Sequence, residues 1–449
     1  MAFSLSADFD NLDDFLHARA PNEAEFHQAV KEVVEDVKPI IDQHSDYKAA
    51  NIFERMVEPE RVISFLVAWQ NDKNEIEVNR GYRVQFNGSI GPYKGGLRFH
   101  PSVNQSVLKF LGFEQTFKNA LTGLPMGGGK GGSDFNPTGR SDDEIMRFCN
   151  AFMQQLYRHI GPDIDIPAGD INVGAREIGY LYGAYRRITN RYEGVLTGKG
   201  KSFGGSEMRT EATGYGLIYF LQEMLNSRDD ALDGKTILIS GAGNVATHAA
   251  EKAITQGATV ISLSDSSGFL HDPDGLNQEK IDWVRCLKAK RGSTLEEYTE
   301  KFGGQYTAGK GPWGINADIA LPCATQNELD KDAAKVLIGN GVKAVVEGAN
   351  MPSTAAAKAA FASADILFGP GKAGNAGGVA VSGLEISQNR VRRKSDADTI
   401  DDALKGVMAD IHSACVEHGT REGGVDYSKG ANIAGFRKVA DAMLSQGVG

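Results

Sequence analysis

Cysteine is scarce in this chain: four among 449 residues, Cys149, Cys286, Cys323 and Cys415, with no CxxC pair. Such wide spacing disfavours a zinc site or a disulfide scaffold and fits a reducing compartment. No apolar run approaches the length of a membrane span. The opening text, MAFSLSADFDNLDDF, has no basic stretch followed by an apolar run, and its acidic residues disfavour a transit peptide. Positive charge is not in excess either. With 48 Lys and Arg against 58 Asp and Glu the formal net charge is −10, which argues against holding nucleic acid or an anionic membrane through the overall field. Internal repeats and low-complexity linkers are missing. What remains is an ordinary globular composition, 41% hydrophobic and 24% charged, so neither disorder nor collagen fits. The length exceeds that at which one hydrophobic core stops growing, so at least two domains are expected, in a cytoplasmic protein without nucleic-acid or membrane partners.

From Glu23 to about Arg61 apolar residues recur at helical spacing (Phe26, Val30, Val33, Val34, Val37, Ile40, Ile41), which predicts amphipathic helices. RVISFLVAW and IEVNRGYRVQFN alternate apolar and polar residues and predict strands. Lys94, in PYKGG, is read in a glycine-rich loop after the second. VLKFLGFEQTFKNALTG has a 3.6-residue period, placing Gln115 and Lys118 on one helix face. DDEIMRFCNAFMQQLYRHIG predicts another helix, and DIDIPAGD a short polar loop. From about Ser206 the pattern becomes helix (EATGYGLIYFLQEML), strand (KTILIS), helix (GAGNVATHAAEKAITQG) and strand (ATVISLSD), the βαβ unit of a parallel doubly wound sheet. ADIALP, VKAVVEGAN and DILFGP would extend it. The expected architecture is α/β: a substrate-binding and oligomerisation domain over 1–205, with N-terminal helices to about 61; a Rossmann-like domain over 206–376; and a helical segment, 377–449, that returns to the first.

Gly241, Gly243 and Ala246 form G-x-G-x-x-A between a strand and a helix. The first glycine permits a tight turn, the second lets pyrophosphate approach, and the third, small residue lets the helix pack closely. Phosphate would then meet unpaired N–H groups at the helix N-terminus. Asp265 ends the next strand, where an acidic residue usually binds the ribose hydroxyl of NAD. It lies within Ser264-Asp265-Ser266-Ser267, whose hydroxyls are equally candidates for a 2′-phosphate, with Lys288, Lys290 and Arg291 supplying charge. A solvated helix face is the plain reading of those three cations.

Lys94 in GPYKGG, Lys118 in FEQTFKNAL and Lys130 in PMGGGKGG, followed by Asp170 in PAGD, suggest a site for a small dianion, because converging ammonium groups repel one another without a compensating ligand. A phosphate loop is rejected: Leu124 occupies the first glycine position and Gly131 follows the lysine. Taken with PAGDINVGAREIGY, GSEMRTEATGYG, LPCATQNELD, EGANMPSTAAA and NAGGVAVSGLEISQN, in order over nearly the whole chain, these texts resemble the hexameric bacterial glutamate dehydrogenases, and SLSDSSG looks most like the NADP-dependent members.

The resemblance implies NADP as cofactor, with NAD the alternative, and reversible oxidative deamination of L-glutamate to 2-oxoglutarate and ammonium by a homohexamer serving ammonium assimilation. It implies that Lys94 and Ser382 bind the side-chain carboxylate, that Gln115 and Lys118 hold the α-carboxylate, with Gly169 and Val379 also on the substrate, and that Lys130 and Asp170 do the catalysis. Cofactor contacts would fall on Arg209, Thr213, Asn244, Val245, Ala324, Thr325 and Asn350, besides the glycine fingerprint. Hydride would leave Cα for the nicotinamide, and water activated by Lys130 would attack the resulting imine while Asp170 shuttles the amine proton, in a cleft between the domains. A Schiff-base lysine is unnecessary once a dinucleotide supplies the redox partner. A sensor without turnover is the reading from another class, and the intact Lys130 and Asp170 argue against it.

Overall fold

Alternating apolar and polar residues draw out the two longest strands, β1 (Arg61–Gln70) and β2 (Ile76–Asn87), which pair antiparallel in the computed structural model. The structure describes residues 9–290, 292–309 and 311–448. Its contacts divide the chain into two units: one runs to Glu207 and also takes Ser382–Asp396 and the residues from Asn432, and the other comprises Met208–Val381 and Ala397–Ala431.

In the first unit β3 (Tyr93–Phe99), β4 (Gly127–Ser133) and β5 (Asp165–Gly169) complete a sheet in the order β1-β2-β4-β3-β5. β2 and β4 are antiparallel, whereas β3 runs parallel to both β4 and β5. Strands β3 and β5 correct the loop readings of PYKGG and DIDIPAGD. Glycine normally weakens a strand, but it permits another backbone to approach closely. A Cβ on Gly95 would lie 1.6 Å from the Gly129 carbonyl oxygen, and one on Gly128 would lie 1.9 Å from Thr116 Oγ1. The glycines thus make room for protein neighbours.

Two apolar cores hold this sheet in place. Tyr82, Val84 and Phe86, on one face of β2, join Val30, Val33 and Val37 of the helix Ala24–Gln43 and Phe113 and Phe117 of the helix Gln105–Leu121. Leu97 and Phe99 of β3 join Phe148 and Phe152 of the helix Asp142–Leu156. Each such side chain, removed from water, stabilises by about 1.5–3 kcal/mol.

In the second unit β6 (Thr236–Ile239), β7 (Thr259–Val260), β8 (Ser262–Asp265), β9 (Gly268–His271), β10 (Gln305–Ala308), β11 (Ile319–Leu321), β12 (Ala344–Val346) and β13 (Leu367–Gly369) form two sheets. The larger is all parallel in the order β13-β12-β11-β6-β7, and the smaller, β10-β9-β8, is antiparallel. ATVISLSD, read as one strand, is two. Thr259 and Val260 pair with β6, but after Ile261 the Ser262 hydroxyl accepts the Ile239 N–H at 3.0 Å, and the backbone turns to pair with β9. The C-terminal segment is likewise divided. Ile400, Leu404, Met408 and Ile411 of the helix Ala397–Gly419 are buried, and this helix packs on the helix Ala212–Asn226 of the second unit, so 397–431 does not return to the first.

Candidate active site

Within the first unit, Lys94 lies on β3, Lys130 on β4, and Gly169 ends β5 just before Asp170. Lys94 pairs in register with Gly128 and Ile166, which brings the three strands side by side at this level. Lys94 and Lys130 are only 2% and 4% exposed. Gln115, on the helix Gln105–Leu121, reaches this point too, since a Cβ on Gly95 would lie 3.3 Å from its Cγ. Lys118 follows three residues later on the same helix, half-buried. Ser382 is buried in the same unit.

Two residues absent from the sequence reading organise this group. Asn119 donates to the carbonyls of Lys94 at 3.0 Å and Gly127 at 2.6 Å, and its side-chain oxygen accepts from Gln115 at 2.7 Å. It therefore joins the helix to β3 and to the start of β4. Arg98 donates from Nε to one oxygen of Asp170 at 2.6 Å, and Lys130 Nζ donates to the other at 2.8 Å. Below them Arg83, fully buried, forms a two-pronged pair with Asp165 and donates to the Gly95 carbonyl at 3.1 Å.

This arrangement polarises the pair. Burial pulls the Lys130 ammonium below the ordinary lysine value; Asp170 opposes the shift, while the Arg98 and Arg83 guanidinium groups add to it. The cations crowding Lys130 are therefore arginines. Burial by itself would raise the Asp170 carboxyl, but Lys130 and Arg98 outweigh it and hold the group well below the usual carboxylate range.

In the second unit, β6 and β11 are neighbours from which the strand order runs in opposite directions, and ligands of such sheets bind beyond the carboxyl ends of strands at this point. Gly241 and Gly243 follow β6, and Cys323, Ala324 and Thr325 follow β11. Gly241 takes φ +86°, which glycine adopts freely, and a Cβ there would lie 3.3 Å from Ala324 Cα. Around Gly243 nothing lies within 4 Å of a built Cβ, leaving its backbone open beside Asn244, Val245 and Ala246 at the start of the helix Asn244–Thr255. The space and the helix N-terminus suit a pyrophosphate. Glu328 holds the Ala324 and Thr325 N–H groups at 2.9 and 3.2 Å, and Asn375 donates to Asn350 Oδ1 at 3.0 Å; neither support was foreseen. A Cβ on Gly378 would lie 2.4 Å from Thr213 Oγ1 and 3.4 Å from Arg209, so both residues stand beside the turn carrying Val379.

Asp265 is already engaged. Its carboxylate accepts from Lys288 at 3.2 Å and from the N–H groups of Leu295 and Ser267 at 2.9 Å each. These donors outweigh its burial and keep its acidity high. Ser266 is exposed at the adjacent turn, and Arg291 lies outside the described residues. Among the described residues no cluster of metal-ligating side chains occurs, and no helix is long and apolar enough to cross a membrane.

Family models for the glutamate/leucine/phenylalanine/valine dehydrogenases match residues 204–447, and their dimerisation domain matches residues 59–187. The chain belongs to this family. An NADP-specific glutamate dehydrogenase of Salmonella typhimurium is 57% identical over 441 residues, 98% of this chain and 99% of that protein. An NAD-specific glutamate dehydrogenase of Bacteroides fragilis is 54% identical over 435 residues, 96% of this chain and 98% of that protein. The crystal structure of Plasmodium falciparum glutamate dehydrogenase superposes with a TM-score of 0.94 at 47% identity, covering 99% of this dehydrogenase and 98% of that chain.

Proposed function

We propose that the chain is an NADP-dependent glutamate dehydrogenase, interconverting L-glutamate with 2-oxoglutarate and ammonium, the first unit binding substrate and the second the dinucleotide. The observation that carries this reading is the buried Lys130, paired with half-buried Asp170 in the same sheet as Lys94 and below Gln115's helix, in a chain that also bears an open fingerprint turn. Lys94 with Ser382 receives the side-chain carboxylate, and Gln115 with Lys118 receives the α-carboxylate. Burying a second carboxylate without a cation costs at least several kcal/mol, so Lys94 explains why glutamate is accepted and an apolar amino acid rejected.

The bound dinucleotide supplies the hydride acceptor. Lys130, its ammonium form disfavoured by burial, takes a proton from the water that adds to the imino carbon. Asp170 is ionised at rest, held by two cations. Its share in moving the amine proton comes earlier, after Lys130 has released its own proton to solvent and before it takes one from the water, when Arg98 alone holds the carboxylate.

The preference for NADP rests on Asp265, whose charge is met by Lys288 and two backbone N–H groups. A carboxylate so occupied is a weaker acceptor for a ribose hydroxyl, while Lys288 and Ser266 remain beside the strand end for a phosphate. Assembly as a cytoplasmic homohexamer belongs to the same proposal. It is supported by the match to the family's dimerisation domain and by Leu66, Ile76 and Val78, which stand exposed on β1 and β2. Mixing the protein with 2-oxoglutarate, ammonium and NADPH and following cofactor absorbance tests the reading. Oxidation that requires all three is expected, and its absence, or equal rates with NADH, would reject the activity or the cofactor preference respectively.

A further inference from the structure

The helix Gly377–Val391 carries Ser382 and, one turn later, Glu385. Residues three apart share a helix face. Glu385 is fully buried with Lys199, which donates from Nζ to Oε1 at 2.8 Å; the side chains are 0% and 1% exposed. Glu385 Oε2 accepts the Gly198 N–H at 2.9 Å, and the Lys199 ammonium also donates to the Leu196 carbonyl. Two residues before Lys199, the Thr197 N–H donates to the Pro167 carbonyl at 3.1 Å, within β5 and three residues before Asp170. Pro167 pairs in turn with Gly95, the neighbour of Lys94. Further along the helix, Asn389 donates to the Gly204 carbonyl at 2.8 Å.

Taking two charges out of water is costly, and apolar side chains of similar volume often hold two elements together as well or better. Cohesion alone therefore does not account for this pair. What it adds is direction: hydrogen bonds on both carboxylate oxygens fix the rotation of the helix as well as its distance. We propose that Glu385, paired with Lys199, is a positioning residue for Ser382, setting the span from that hydroxyl to β5 and thus to Asp170. The proposal rests on the reading that Ser382 and Lys94 receive the side-chain carboxylate, and it makes the pair a determinant of selectivity for dicarboxylates.

The test compares 2-oxoglutarate with 2-oxopentanoate, which lacks the distal carboxylate, in reductive amination by the full-length enzyme. Removing both charges with Lys199→Met/Glu385→Gln should lower kcat/KM for 2-oxoglutarate about tenfold and change that for 2-oxopentanoate less than about twofold. Lys199→Arg, which keeps the pair, should retain the wild-type ratio. If the double variant does not fold, Glu385→Asp, which shortens the link by one methylene, should show the same selective loss. Parallel losses on both substrates, or an unchanged ratio, would overturn the proposal. Ser382→Ala separates the two levels of inference. An unchanged ratio there means that the carboxylate assignment fails, whereas a lowered ratio there with none in the paired-charge variants means that only the positioning role fails.

Discussion

Arg98 and Lys130 grip opposite oxygens of Asp170, at 2.6 and 2.8 Å, from adjacent parallel strands. Arg98 thereby keeps the carboxylate ionised and adds to the downward pull on Lys130. Replacing it with Gln removes a cation that disfavours the ammonium, so the Lys130 value rises. In the proposed mechanism glutamate oxidation requires neutral Lys130, and the rising limb of its pH profile should therefore move to higher pH, with kcat near neutrality lowered about tenfold. Initial rates across pH would show this, and a limb that stayed in place or moved to lower pH would contradict it.

Lys94, 2% exposed, is assigned to the second carboxylate of the substrate. Its replacement by Leu removes one partner of a buried charge pair in the complex, an effect of about 2–5 kcal/mol, so kcat/KM for glutamate should fall roughly 30-fold to several thousandfold. Folding should suffer little, because leucine fills much of the same buried space without a charge to desolvate: the melting temperature is expected to stay within about 5 °C. Steady-state kinetics beside a thermal melt check both halves, and unchanged glutamate kinetics would refute the assignment.

Lys288 neutralises Asp265 at 3.2 Å. With Ala in its place the aspartate keeps only its backbone donors, and a phosphate on the ribose would meet an unbalanced negative charge. The expected result is a fall of about tenfold in kcat/KM for NADPH, with NADH altered less than about twofold. Equal losses with both cofactors would show that Lys288 serves the fold alone.

Gly95 faces the Gly129 carbonyl so closely that an added Cβ would overlap it, at 1.6 Å. The obstacle is backbone, which cannot swing aside. Gly95→Ala should destabilise the protein by about 1–3 kcal/mol or more, read from denaturant unfolding. Gly243→Ala, with open space around the new carbon, should cost far less stability and weaken the cofactor instead.

Legibility in the sequence followed the local signals. β1 and β2 announce themselves by alternation, and the fingerprint turn by its flanking strand and helix. β3, β4 and β5 do not, because their glycines and short length imitate loops, and the reason for those glycines lies in neighbours such as Thr116 and Gly129 that are distant or hidden in the pattern. Misreading β3 also hid Arg98: residues four apart on a strand share a face, so Lys94 and Arg98 would have been seen together had the segment been read as extended. Asn119 offered no signal, since its work is done on backbone carbonyls. The change of partner at Ile261 depends on one serine hydroxyl standing in for a peptide group, which no periodicity encodes.

β4 is GGGKGGS, so lysine is its one large side chain. Where Thr116 presses on Gly128, even a methyl group is refused. Such a strand has almost no freedom to drift: a random change in it collides with the scaffold or removes the ammonium, and selection would see both. The lysine to which the proposed mechanism gives the base's role is thereby shielded from gradual remodelling of its surroundings, and new substrate preferences in this lineage would have to arise at the ring of residues around it.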